Sequence, residues 1–345
     1  MSITRKISQL KVKSHNITRP KFPAIDFHTH FGKLLGAMAG TENYFDLYET
    51  KDTIAEIKSY GIEKVVNVDG GFGDEYLRMM DKLKDAGDFI INFGQVDIME
   101  FESPEFEAKV NKVMGEHHKN GIKGLKFWKN IGLVLKDSNG NYLRPDDERL
   151  KCIWSAAAEY DMPVLFHIAD MNAFFTSANE ENELIETFRD HPEWLFNKPG
   201  MYSFDELMEM QERLLEENPK TKFVIAHVGS YAENLGQVGR WLDKYPNMYV
   251  DIADRLSELG RQPYTAREFF TEYADRIVFG TDLLPMDVER YPIYFRFLET
   301  YDEYFSYRTD KGVPLGDWNI YGIGLDDTTL QKVYRDNAKK LLKIG

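Results

Sequence analysis

A single cysteine, Cys152, in 345 residues excludes an intrachain disulfide and any zinc site built on cysteine. That scarcity is compatible with a reducing compartment, so a cytoplasmic location is the expectation. Long apolar runs are also missing. No stretch keeps up apolar character over the ~20 residues that a membrane helix needs, and the polar, basic leader 1–22 lacks the apolar centre of a signal peptide. Positive charge is short too, with 43 Lys and Arg against 57 Asp and Glu and a net charge of −14. Without a basic cluster to meet phosphate, neither nucleic acid nor an anionic membrane is expected as partner. A small-molecule substrate is expected instead.

Against these absences stands a repeated feature: short apolar runs that end in a metal-ligating side chain. The first, Ala24-Ile25-Asp26-Phe27-His28-Thr29-His30, is strand-like and places two histidines one residue apart. Side chains at i and i+2 of a strand share a face, so His28 and His30 can serve one ion. Three later runs end in His167, His227 and Gly280-Thr281-Asp282. Between and around them, strand-like segments alternate with amphipathic helical ones, giving eight strand–helix units in order. That alternation predicts a parallel (β/α)8 TIM barrel over residues 23–345, a single domain, with extended loops after strands four, five and eight. In such a barrel the strands' carboxyl ends converge, which would bring the histidines and Asp282 together.

The combination His28-Thr29-His30, His167, Ala226-His227 and Gly280-Thr281-Asp282 resembles the amidohydrolase superfamily. Within it, the resemblance is to the amidohydrolase-related branch that includes aminocarboxymuconate semialdehyde decarboxylase and pyrone dicarboxylate lactonase. What the resemblance implies is one divalent metal held by His28, His30, His167 and Asp282, with His227 beside it as a catalytic group or a further ligand. Imidazole and carboxylate donors with an open position suit Zn²⁺ first, and also Mn²⁺, Fe²⁺ or Co²⁺. Lys126, at the end of strand four, stands where some superfamily members carry a carbamylated lysine between two metals. A cation for a substrate carboxylate and a lysine snorkelling at the rim are the other two accounts of it.

A metal ion that acidifies water and polarises a carbonyl makes hydrolysis of an ester, lactone or amide the leading expectation. Asp282 would take the water proton, His227 would stabilise the oxyanion, and Lys126, Trp128 and Arg255 would contact a small carboxylated substrate. An ion pair with Glu258 accounts for Arg255 nearly as well. Non-oxidative decarboxylation on the same scaffold is the alternative, and a non-catalytic binding protein is the third reading, against which the complete ligand set speaks. Residues 170–203 form a long insertion rich in aromatics, including Phe174, Trp194 and Phe196; it either lids the barrel mouth or only packs upon itself. His117 and His118 are expected on a solvated helix face. The aromatics between Tyr291 and Trp318 suggest a dimer contact or a pocket wall. Exposed helices of such barrels often pair, which leaves a homodimer open.

Overall fold

In the computed structural model the described residues are 8–309 and 315–345, so the first seven residues of the leader lie outside them. Eight strands pair in parallel and in sequence order. They are β1 (Ala24–Thr29), β2 (Ile62–Asn67), β3 (Ile90–Gly94), β4 (Gly124–Phe127), β5 (Val164–Phe166), β6 (Phe223–Ile225), β7 (Met248–Asp251) and β8 (Ile277–Val278). The seam between β8 and β1 is closed by hydrogen bonds from Phe27 N to Phe279 O at 2.8 Å and from Asp282 N to His28 O at 2.9 Å. The expected (β/α)8 barrel is present.

Strand parity sorts the side chains into two cores. Ile25, Phe27, Val66, Val68, Leu165, Val224, Tyr249 and Val278 fill the barrel interior, and Leu341 and Leu342 of the terminal helix Asn337–Leu342 pack with them. The alternate residues, Val65, Val164, Phe166, Phe223, Ile225, Met248, Val250 and Ile277, face the surrounding helices. Because both faces are buried, the strands are apolar throughout rather than alternating. Gly124 is required at its position: a Cβ there would come within 2.5 Å of the Phe93 ring, which fills the interior beside Phe27.

The barrel helices are α1 (Thr50–Ser59), α2 (Gly73–Lys82), α3 (Phe106–Lys119), α4 (Lys151–Glu159), α5 (Phe204–Glu217), α6 (Leu235–Lys244), α7 (Pro263–Glu272) and α8 (Tyr291–Glu299). Helix α5 shows why they form. Ser203 and Glu206 make a reciprocal capping box, and Phe204, Leu207, Met208, Gln211, Leu214 and Leu215 recur at helical spacing on the buried face. Asp326 caps the terminal helical segment through Thr328 N and Thr329 N.

Two local expectations are corrected. His117 is buried rather than solvated: it continues the Phe106–Val110–Met114 face of α3, and its Nε2 lies 2.8 Å from Gln95 O. The second, on the aromatics between Tyr291 and Trp318, holds only in part: Tyr291, Tyr294, Phe295 and Phe297 are core, with Tyr294 and Phe295 against the Phe279 ring, whereas Tyr307 of the same stretch lines the cavity at the barrel mouth. The long insertion after β5 contains the short helix Ile185–Asp190. The segment after α8 returns as a two-stranded ribbon, Phe305–Ser306 against Asn319–Ile320. No helix among the described residues is long and apolar enough to cross a membrane.

Candidate active site

His28, His30 and Asp282 converge at the carboxyl end of the barrel, with one ligand atom from each lying within 4.8 Å of the others. Among the described residues no other such group of metal-ligating side chains occurs. Asp282 Oδ1 is 2.7 Å from His30 Nε2 and 3.3 Å from His28 Nε2. The far nitrogens are each held by a buried carboxylate: His28 Nδ1 meets Asp251 Oδ2 at 2.8 Å, and His30 Nδ1 meets Asp69 Oδ1 at 2.8 Å. Each carboxylate is itself fixed by backbone donors, Asp251 by His227 N and Ala253 N and Asp69 by Gly32 N and Leu34 N. Carboxylates at Nδ1 set that nitrogen as the donor and leave Nε2 as the nitrogen that faces the centre, where a cation would take the place of any proton on it. Asp251, at the end of β7, and Asp69, just past β2, were not singled out as site residues from sequence. The signal was there, as each is an acid where an apolar run ends.

Electrostatics agree with a cation site. Burial and the nearby Lys126 ammonium push the His28 imidazole below its usual range. Burial also opposes charge on His30, but Asp69 and Asp282 overcome it and raise that imidazole to about 9. The Asp282 carboxyl is held well below the carboxylate range, burial being outweighed by His28 and His30. A carboxylate pulling two imidazoles onto one oxygen marks the spot a cation would occupy.

His167 and His227 stand beside this group. His227 follows the inward-facing Val224 and Ala226, so strand parity would send it outward. Left-handed backbone at His227 (φ 60°) and Val228 (φ 57°) turns it to the centre, where its ring lies 5.3 Å from that of His28. Its Nδ1 donates to Ala253 O at 2.8 Å, so Nε2 carries the lone pair. Burial, then His167 and Arg255, keep this imidazole neutral. His167 gives Nε2 to Asp170 Oδ1 at 3.1 Å, and burial lowers it to about 4. Its Nδ1 therefore turns a second lone pair toward His227 Nε2 at 3.3 Å. Two lone pairs facing each other call for a positive group between or beside them. The donor set fits a divalent ion, with three side chains gathered and His167 one imidazole away.

The proposed substrate contacts are placed unequally. Trp128 and Arg255 line a cavity of about 550 Å³ whose floor includes His28, His167, His227 and Asp282. Lys126 is not among its lining residues: it is fully buried beneath, its Nζ 3.0 Å from His28 Nε2 and 4.8 Å from the Trp128 ring centre, and burial brings it down to about 8. Arg255 donates Nη1 to Asp254 O at 2.7 Å, while burial, Glu258 and Asp254 govern its charge. Further cations, Lys129, Arg290 and Arg308, line the cavity, and Arg290, at the foot of α8, pairs with Asp254 at 2.5 Å. No apolar run ends at Arg290, so nothing in the sequence pattern marked it.

The amidohydrolase family model matches residues 25–344. The chain belongs to the amidohydrolase family. Metal-dependent hydrolysis and decarboxylation both fit that membership. No curated protein sequence matches the chain. Among solved structures, it is similar to a 2,6-dihydroxybenzoate decarboxylase complexed with 2,6-dihydroxybenzoate, at 15% identity and TM-score 0.59 over 94% of this chain and all of the other. A dihydroxybenzoic acid decarboxylase from Polaromonas, with bound manganese and 2-nitroresorcinol, gives 13% identity and TM-score 0.61 over 93% of this chain and 97% of that one. A 5-carboxyvanillate decarboxylase from Novosphingobium aromaticivorans, with manganese and a nitrobenzoic acid, gives 13% and 0.54 over 96% and 100%. At these identities the likeness establishes the fold.

Proposed function

We propose that His28, His30 and Asp282 hold one divalent ion, with His167 as fourth ligand, and that the chain hydrolyses an ester, lactone or amide carbonyl of a small carboxylated substrate. The observation that carries this reading is the convergence of two carboxylate-backed histidines and Asp282 on the floor of the cavity. Zn²⁺ leads on donor chemistry; Mn²⁺, which two of the similar structures contain, satisfies the same set. A bound ion would supply an acidified water and a polarised carbonyl.

The chain's own groups set the rest. Asp282, about a quarter open to the cavity, takes the proton of the attacking water. The tautomer of His227 alters its expected part: with Nδ1–H spent on Ala253 O, its Nε2 accepts a hydrogen bond and orients that water, and it has no proton to give an oxyanion. Arg255 holds the substrate carboxylate and Trp128 packs its plane. Lys126 acts on His28 instead of on the substrate, giving a hydrogen to the Nε2 lone pair that a bound ion would use.

Decarboxylation is the second reading. It is favoured by the aromatic lining of the cavity and by the dihydroxybenzoate that one of the similar enzymes binds. Turnover of a library of lactones, amides and aromatic acids in ¹⁸O-water decides between the two. Label in a product carboxylate supports hydrolysis, and CO₂ release with no label in the organic product transfers the assignment to decarboxylation. Inertness of the metal-loaded protein toward every member would overturn both.

A further inference from the structure

We infer that the substrate has two parts, a carboxylated head at the metal end of the cavity and an arene tail that lies against Phe174, Trp194 and Phe196. The inference rests on the proposed function for the head and adds the tail. Among the described residues the cavity encloses about 550 Å³. Pockets of roughly 300–1,000 Å³ take drug-sized ligands, so a single-ring acid on the floor leaves the outer part unfilled.

That outer part is built differently from the floor. The floor is polar, whereas the segment after β5 presents three rings to the cavity in nearly parallel planes. Phe174 and Trp194 are 6.5 Å apart at 10°, and Phe174 and Phe196 are 6.3 Å apart at 20°. These rings are fixed from behind and at both ends. Phe174 sits in a small core of its own with Met171, Leu184 and Phe188, separate from the two barrel cores. His191 stacks on Trp194 at 4.3 Å, and Lys129, paired with Asp170, lies over Phe196 at 5.3 Å. Rings that only packed a loop onto the barrel would turn their faces to it. These line the cavity, and Leu315 joins them from the segment after α8. An added arene would continue the offset series at the spacing aromatic pairs prefer. Arg255 at the floor sets the polarity, drawing the carboxylate inward and leaving the tail outward.

The test is calorimetric binding of benzoate and of biphenyl-4-carboxylate to the metal-loaded full chain. The biphenyl acid should bind about 30-fold more tightly, the gain expected from burying one more ring. Phe174→Leu and Trp194→Leu should each weaken the biphenyl acid about fivefold and leave benzoate unchanged. Trp194 is only partly buried, so its variant keeps the test valid should Phe174→Leu disturb the segment. Equal affinity for the two acids, equal effects of the variants on both, or no binding of either would each overturn the inference. Metal equivalents per chain, measured on the same samples, test the metal centre separately. A chain without metal that still prefers the biphenyl acid would sink the centre and keep the tail.

Discussion

Replacing Asp251 by asparagine should cost metal affinity without costing the fold. Asp251 is fully buried and uses both oxygens: Oδ1 accepts from His227 N at 2.7 Å and Ala253 N at 3.1 Å, and Oδ2 meets His28 Nδ1 at 2.8 Å. Asparagine has one acceptor oxygen. Two backbone donors claim it, so the side-chain NH₂ must face His28 Nδ1. A donor there forces Nδ1 to accept, which moves the imidazole proton to Nε2 and removes the lone pair that points at Asp282. Loss of a carboxylate behind a ligating histidine typically weakens metal binding about 10–100-fold, or about 1.4–2.7 kcal/mol. The backbone bonds survive and the volume is unchanged, so thermal unfolding of the metal-free protein should shift little. Competition with a chelating dye gives the metal affinity, and calorimetry of the apo protein controls for the fold. An Asp251→Asn protein that folds normally and binds metal as tightly as the parent would refute the reasoning about the tautomer.

Asp282→Asn should lower both metal affinity and turnover, since the ligand oxygen and the proton acceptor are lost together; full activity would sink its assignment. Gly280→Ala should lower Tm by about 1–4 °C, because the new Cβ would stand 3.1 Å from His28 Cβ and 3.3 Å from Asp251 Cβ; an unchanged Tm by calorimetry would show that this crowding is relieved. Saturating metal at about 100 times its Kd should stabilise the protein by about 2.7 kcal/mol, or roughly 4 °C for a chain of this length, and a chelator should reverse it. Identical melting with and without metal would count against the centre. Arg255→Lys should weaken benzoate about tenfold by losing the planar fork, and unaltered binding would remove Arg255 from the substrate contacts.

The parts of the site that were legible share one property: each side chain lies on or just past the end of an apolar run. His28 is on β1 and His30 is the residue just past it, and Asp282 ends the run through β8, so local pattern was enough to bring them together. The carboxylates behind them were not legible in the same way. Asp69 and Asp251 resemble any acid at a strand end until His30 and His28, both from β1 or its end, are seen at 2.8 Å. Arg290 depends on where α8 begins and on Asp254, whose own backbone is left-handed at φ 49°. His117 was within reach, since Phe106, Val110 and Met114 already mark its face of α3. The charged residues of the same helix, Lys112, Glu116 and Lys119, point to a solvated face instead.

A deeper limit lies in strand parity, because two of the candidate site histidines reach the centre by breaking it. Phe27 fills the interior beside Phe93, yet the very next residue, His28, also reaches the centre; the pairing of β1 with β2 shifts register between Asp26 and Thr29 at that point. His227 is out of phase with Val224 and is turned by two consecutive left-handed residues, the second a β-branched valine. Asp282 is in phase but also left-handed, at φ 61°. Such conformations cost of order 1–3 kcal/mol each and persist only where the surroundings over-determine them. Here the surroundings are on hand: Asp251 grips His227 N, and Asp26 takes Thr281 N, Thr281 Oγ1 and Tyr291 Oη while also accepting from His28 N. The barrel thus holds its candidate site side chains by buried carboxylates that pin backbone, and one of them, Asp251, also orients the His28 imidazole. A pattern of alternating apolar residues predicts the scaffold and its open end. It carries no mark of the turns that rotate His227 into place, because those turns are imposed by Asp251 on a neighbouring strand.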